Sequence, residues 1–123
     1  MTNIFGTCVT CIDGRIQEPL QQWLKKKYEL DYVDMITEHG AEKLFSDDKH
    51  QSELRNKVSY SIKNSNSKII LVSAHHDCEG NMVSKDKQIS QIKDAISIIQ
   101  SWNLGVPVTG AWFNEQLQVE SIE

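Results

Sequence analysis

Hydrophobic and polar positions change period several times along the chain, and each change marks an element. Phe5 to Ile12 is β-prone and runs into Asp13-Gly14, a turn signal. From Ile16 the spacing becomes helical: Ile16, Leu20, Trp23, Leu24 and Tyr28 fall on one face. Pro19 suits a helix only in its first turn, which predicts a start near Gln17 or Glu18. Tyr32 to Thr37 reads as a second strand closed by His39-Gly40, and Glu42 to Phe45 as one helical turn. Leu54, Val58 and Ile62 recur every four residues and predict a longer amphipathic helix that stops in Asn64-Ser65-Asn66-Ser67.

The second half repeats the alternation. Ile69-Ile70-Leu71-Val72 is an unbroken aliphatic run, suited to a strand buried on both faces of a parallel sheet. Ile89, Ile92, Ile96, Ile99 and Trp102 form the clearest helical stripe, with Ser84 or Asp86 able to cap its start. Val106 to Phe113 predicts a fourth strand, and Leu117 to Ile122 alternates like a strand returning antiparallel. Core packing is the expected role of these aliphatic and aromatic stripes. The implied architecture is α/β: a mostly parallel central sheet of four strands plus a C-terminal antiparallel strand, flanked by helices. No repeat, low-complexity tract or linker divides residues 1–123, so one domain is expected.

Composition narrows the function. Hydrophobic residues at 39% and charged residues at 24% are ordinary for a soluble globular protein. A net charge of −4 argues against nonspecific nucleic-acid binding, which needs a basic surface. The one basic run, Lys25-Lys26-Lys27, lies on a predicted helix and reads as a solvated face. No apolar stretch approaches the roughly 20 residues that span a bilayer, and Met1 to Phe5 does not look like a signal peptide. Three cysteines are too few for a disulfide framework, so a reducing cytoplasm with free or metal-bound thiols is expected.

Two short clusters carry the chemistry: Cys11-Ile12-Asp13-Gly14-Arg15 and His75-His76-Asp77-Cys78. Each falls where a predicted strand runs out, at the carboxyl edge where open α/β sheets place ligands. Cys11, His75 and Cys78 together offer two thiolates and an imidazole, a donor set that favours zinc over magnesium, calcium or manganese. A lone buried cysteine would mean nothing; a cysteine with a His-x-x-Cys at neighbouring strand ends points to a metal. Asp13 has two readings. It could be a fourth ligand that closes the site, or Arg15 could hold it away and leave a position open for water. Cys8-Val9-Thr10-Cys11 also spells Cys-x-x-Cys. Redox pairs of that type sit at helix N-termini, whereas these two lie three apart on a strand and point to opposite faces. His76 and Asp77 shape the loop between the presumed ligands, and His39, His50 and His76 are candidate proton carriers that nothing in the sequence separates.

Cys-x-Asp-x-Arg followed by Ser-Ala-His-His-Asp-Cys resembles the signature of the β-class carbonic anhydrases. The order of elements around both motifs fits that family's fold, and Val108-Thr109-Gly110-Ala111-Trp112-Phe113 with its returning partner resembles its late strands. The resemblance implies zinc on Cys11, His75 and Cys78, and a catalytic dyad of Asp13 and Arg15. It implies reversible hydration of carbon dioxide to bicarbonate by a zinc-bound hydroxide, and a homodimer or a multiple of dimers. The sequence departs from the pattern in several places. It is shorter than typical members and shows no counterpart of their N-terminal helices; Gly14 replaces a small hydroxyl or alanine; Glu79 stands where a glycine follows the last cysteine; Glu38-His39-Gly40-Ala41 replaces an Arg-Asn-Ala-Gly segment. Two other functions remain open on the same motifs: hydrolysis of carbon disulfide or carbonyl sulfide, and a noncatalytic zinc-binding or regulatory module.

Overall fold

The structure, a computed structural model, describes residues 3–123. Five strands form one sheet in the order β2-β1-β3-β4-β5: β1 Phe5–Cys11, β2 Tyr32–Glu38, β3 Ile70–His75, β4 Val108–Phe113 and β5 Val119–Ile122. The first four are parallel and β5 runs antiparallel to β4, as the strand pattern predicts. Three α-helices connect them: α1 Gly14–Tyr28, α2 Asp48–Ser65 and α3 Lys85–Ser101, with a short 3-10 helix at Ala41–Ser46.

Helices cover both faces of the sheet. Ile16, Leu20 and Leu24 of α1 bury against Cys8, Leu71, Ala111 and Phe113. On the other face Leu54 and Val58 of α2, Phe45 of the 3-10 helix and Ala95 and Ile99 of α3 bury against Val9, Ile36, Ile70 and Val72. A smaller cluster joins Ile92 and Ile96 of α3 to Ala74, Trp112 and Ile122. Alternation along β3 therefore serves two cores at once, which is why its sequence is apolar at every step.

Element ends follow capping chemistry more closely than apolar spacing. α1 starts at Gly14, three residues before the earliest start that Pro19 suggests. Asp13 caps it by accepting a hydrogen bond from the Arg15 amide at 2.9 Å, and that cap outweighs the preference for proline in a first turn. The Gln17 amide holds the same corner, donating to the carbonyls of Cys11 at 2.8 Å and Asp13 at 2.9 Å. Asp47 caps α2 through the His50 amide at 3.1 Å, and Ser84 rather than Asp86 caps α3 through Lys87 at 3.1 Å. β4 begins at Val108, two residues later than the apolar run, because Pro107 has no amide to give and contributes only its carbonyl, to Ile70 at 3.0 Å.

Two glycines let the loops after β2 and β3 touch backbone to backbone. Gly40 adopts φ +64°, and a Cβ there would come within 2.6 Å of the Gly80 carbonyl oxygen. A Cβ on Gly80 would meet the Gly40 nitrogen at 2.7 Å. Lys43 reinforces the contact by donating to the Gly80 carbonyl. Gly40→Ala should therefore cost about 1–3 kcal/mol from backbone strain and overpacking. Gly14→Ala, in a helix first turn with no heavy atom within 4 Å of its Cβ, should be neutral or mildly stabilising. Urea unfolding of both variants checks this, and equal losses would mean the close contact is not what constrains Gly40.

Candidate metal centre

The pairing of β1 with β3, Thr7 with Ile70, Cys8 with Leu71 and Val9 with Val72, brings their carboxyl ends side by side. One step further the hydroxyls of Thr10 and Ser73 bond across the two strands. Cys11 closes β1, His75 closes β3, and the following turn carries Cys78 back over the edge of the sheet. The result is a group of three ligand-capable atoms within 4.8 Å of one another, all on buried residues. Among the described residues, Cys8 is not part of it. That thiol is completely buried in the apolar cluster against Leu20, Leu24 and Leu71, where burial strongly raises its pKa.

Each of the three atoms could serve as a donor to a soft or borderline cation. Cys11 Sγ and Cys78 Sγ stand 3.8 Å apart, and two sulfurs bound at 2.3 Å in a tetrahedron would be separated by about that much. His75 is 2% exposed, and its Nδ1 lies 2.8 Å from the His76 carbonyl oxygen. A carbonyl only accepts, so Nδ1 carries a proton, and in the neutral ring Nε2 is the acceptor. That Nε2 is buried with no hydrogen-bond partner among the described residues. A buried acceptor left bare beside two thiols is costly for a fold and appropriate for a metal ligand. Without a cation the Cys78 thiol is pushed up to about 12, chiefly by burial, with the neighbouring Cys11 and the charge of Glu42 adding to it. Zinc fits the donors by number, type and spacing.

Asp13 and Arg15 lie at the rim. Arg15 Nη2 donates to Asp13 Oδ2 at 2.7 Å, and its Nε reaches Oδ1 at 3.1 Å, a two-point grip in the plane of the guanidinium. The same arginine reaches across to the second loop, donating to the Asp77 carboxylate at 3.3 Å and to the Asp77 carbonyl at 3.2 Å. It thus ties the Cys11 loop to the Cys78 turn, with Asp77 held at φ +58°. Asp13 Oδ2 lies 4.0 Å from His75 Nε2, so the carboxylate faces the ligand group while Arg15 holds it. Hydrogen bonding from Arg15 lowers its pKa to about 2.

A cleft of about 390 Å³ opens over this rim, bounded by Cys11, Ile12, Asp13, Arg15, His39, Asp77 and Glu79. Of the three candidate proton carriers, His39 borders the cleft, His76 stands 3.8 Å from Glu115 and His50 pairs with Asp47 at the start of α2. Several supporting groups escape a reading by sequence motif. Gln17 fixes the first loop, and Glu42 and Asn81 hydrogen-bond behind the Cys78 turn at 2.9 Å; Asp77 shapes the second loop, as its place between the presumed ligands suggests. A polar residue in the first turn of α1 hints at Gln17; nothing in local spacing links Glu42 to Asn81.

Comparison with known proteins now assigns the class. A family model described as "Putative carbonic anhydrase" matches residues 1–123, and the chain belongs to that family. No curated protein matches the sequence. Among solved structures the fold is similar to β-carbonic anhydrase isoform I of Trichomonas vaginalis, with a TM-score of 0.69 at 14% identity over 99% of this chain and 86% of that one. It is similar too to the carbonic anhydrase of Streptococcus mutans, with a TM-score of 0.63 at 12% identity over 99% and 84% of the two chains. The carbonic anhydrase of Glaciozyma antarctica gives 0.64 at 12% identity over 95% and 81%. The β-class fold is thus retained at very low identity.

The Asp13–Arg15 pair yields a pH dependence. A carboxyl whose folded pKa is depressed adds stability above its unfolded value near 4, and loses it as pH falls towards about 2. Wild type should therefore exceed Arg15→Ala in stability by a constant margin above about pH 4, with the margin closing towards about pH 2. Denaturant unfolding across that range measures it; a margin independent of pH would detach the carboxylate from Arg15.

Proposed function

We propose that residues 1–123 form one zinc-dependent carbonic anhydrase domain that converts carbon dioxide and water reversibly to bicarbonate and a proton. Cys11, His75 and Cys78 are the residues that would hold the metal, and Asp13 with Arg15 the pair that handles the reacting water. The observation that carries this reading is the bare, buried His75 Nε2 facing two thiols 3.8 Å apart, with an arginine-held carboxylate 4.0 Å away. Bound there, zinc supplies Lewis acidity that lowers the pKa of water towards neutrality, less far with two thiolate donors than with three imidazoles.

The chain's own groups do the rest. Arg15 keeps Asp13 ionised and fixes its plane, so Asp13 Oδ2 accepts a hydrogen bond from the reacting water and turns an oxygen lone pair towards the carbon. The cleft above Asp13 is wide enough for so small a substrate, and Ile12 gives it an apolar wall. The His76 carbonyl accepts from His75 Nδ1, which in the neutral ring leaves Nε2 as the acceptor. Reduced thiols at Cys11 and Cys78 suit a reducing compartment such as the cytoplasm. Among the described residues, no helix is long and apolar enough to cross a membrane.

Stopped-flow hydration of carbon dioxide on protein of known zinc content, scanned from neutral to alkaline pH, tests the assignment. Turnover should rise with pH and vanish in Cys78→Ala. Asp13→Asn should keep its zinc and lose about a hundredfold or more in turnover. Zinc-loaded protein inert across the range would reject carbon dioxide and leave a related small electrophile or a noncatalytic zinc module. The family reading also carries a homodimer or a multiple of dimers. Ile12 at 61% and Met82 at 85% exposure offer apolar surface near the metal centre for such a contact. Sedimentation equilibrium should show a dimer at micromolar protein; a monomer would end that part of the reading.

A further inference from the structure

Behind the Cys78 turn lies a polar cluster that the reaction itself does not use. Asn81 is 5% exposed and sits at its centre. Its side-chain amide donates to Glu42 Oε2 at 2.9 Å and to Gln91 Oε1 at 2.7 Å, using both amide hydrogens. Its backbone N–H donates to the Cys78 carbonyl at 3.2 Å, and its carbonyl accepts from Gln88 Nε2 at 3.3 Å. Gln88 in turn accepts from the Trp112 indole at 2.7 Å. The turn that aims Cys78 is therefore pinned to the 3-10 helix on one side and to α3 and β4 on the other.

Glu42 is the unusual member. It is 1% exposed, and its Oε1 has no hydrogen-bond partner among the described residues. The neighbouring Lys43 directs its ammonium to the Gly80 carbonyl instead. A half-satisfied buried carboxylate is costly and adds nothing that apolar packing would not supply, apart from its acceptor for Asn81. Among the described residues, the Glu42 carboxylate has one hydrogen bond, from Asn81. Gly80, beside Asn81 in the same turn, packs on the Gly40 backbone, which places that residue of the turn and leaves the aim of Cys78 to the bonds around Asn81.

We propose that Glu42 and Asn81 are positioning residues of the metal centre: the buried Glu42–Asn81 hydrogen bond fixes the turn that aims Cys78 and thereby sets how tightly the Cys11–His75–Cys78 group holds zinc. The proposal rests on the reading of that group as a zinc site. Groups that orient metal ligands from behind commonly change affinity by about 10–100-fold when removed. Neither residue needs to touch the metal or the substrate for this effect.

The test is zinc affinity by competition with a chromophoric chelator, with the thermal midpoint of the metal-free protein measured alongside. Glu42→Met fills the same space without an acceptor and leaves one Asn81 amide hydrogen unpaired. It should stay folded with a somewhat lower midpoint, yet bind zinc about tenfold more weakly. Glu42→Gln keeps an acceptor for Asn81 and should restore affinity to near wild type. Asn81→Ala should weaken zinc binding at least as much as Glu42→Met, and it carries the test if the methionine variant does not fold. Thiolate-to-cobalt absorption in cobalt-loaded variants should shift in Glu42→Met and Asn81→Ala and return in Glu42→Gln. Wild-type affinity in Glu42→Met, or a Glu42→Gln variant as weak as Glu42→Met, overturns the proposal while leaving the zinc site intact. Wild-type protein that takes up no zinc overturns the metal reading and this proposal together.

Discussion

Everything at the candidate metal centre depends on the register between β1 and β3. Pairing Cys8 with Leu71 and Val9 with Val72 fixes where both strands end relative to each other. A slip of one residue would exchange every side chain between the two faces of a sheet buried on both sides. Apolar packing against α1 on one face and against α2 and α3 on the other therefore locks the register. Cys11 and His75 are neighbours as a by-product of burying Val9, Val72 and Leu71. The energy that aligns the site comes from residues with no chemistry of their own.

Beyond the strand ends the apolar core stops and polar contacts take over. The Cys78 turn sits against bare glycine backbone at Gly40, the amide cluster at Asn81 and the Arg15 fork at Asp77. Each contact is directional, which suits a segment that must hold one sulfur near another without forming a strand or a helix. The two kinds of restraint divide the work. Hydrophobic burial sets the coarse position of the elements, and hydrogen bonds set the aim of single atoms.

The sequence made the architecture legible because its apolar runs are clean. Ile69 to Val72 and the Ile89 to Trp102 stripe leave little choice of element, and five strands with three flanking helices follow. Boundaries were less legible where a side chain decides the issue. Asp13 starts α1 early by capping it, against the pull of Pro19, and Pro107 delays β4 by lacking an amide. The two motif clusters could be read as a possible metal group because donors of the right type fell at strand ends. The supporting groups could not. Glu42 and Asn81 are 39 positions apart and polar in ordinary ways, and only burial in the same place makes their pairing visible. Arg15 likewise reads as a partner of Asp13 two residues away, whereas its grip on Asp77 spans 62 positions.

Asp13 serves as helix cap and as the carboxylate facing the ligand group. The cap uses Oδ1, while Oδ2 faces the candidate ligand group. If the carboxylate swings inward, the Arg15 amide loses its acceptor and the first turn of α1 loosens, so motion at the chemical centre is transmitted to the backbone. Such caps contribute about 1 kcal/mol, enough to bias the carboxylate outward without locking it there. The amide of one residue at the mouth of the cleft thus becomes a gauge of the carboxylate's position, readable as proton exchange or chemical shift while the chemistry itself goes unobserved.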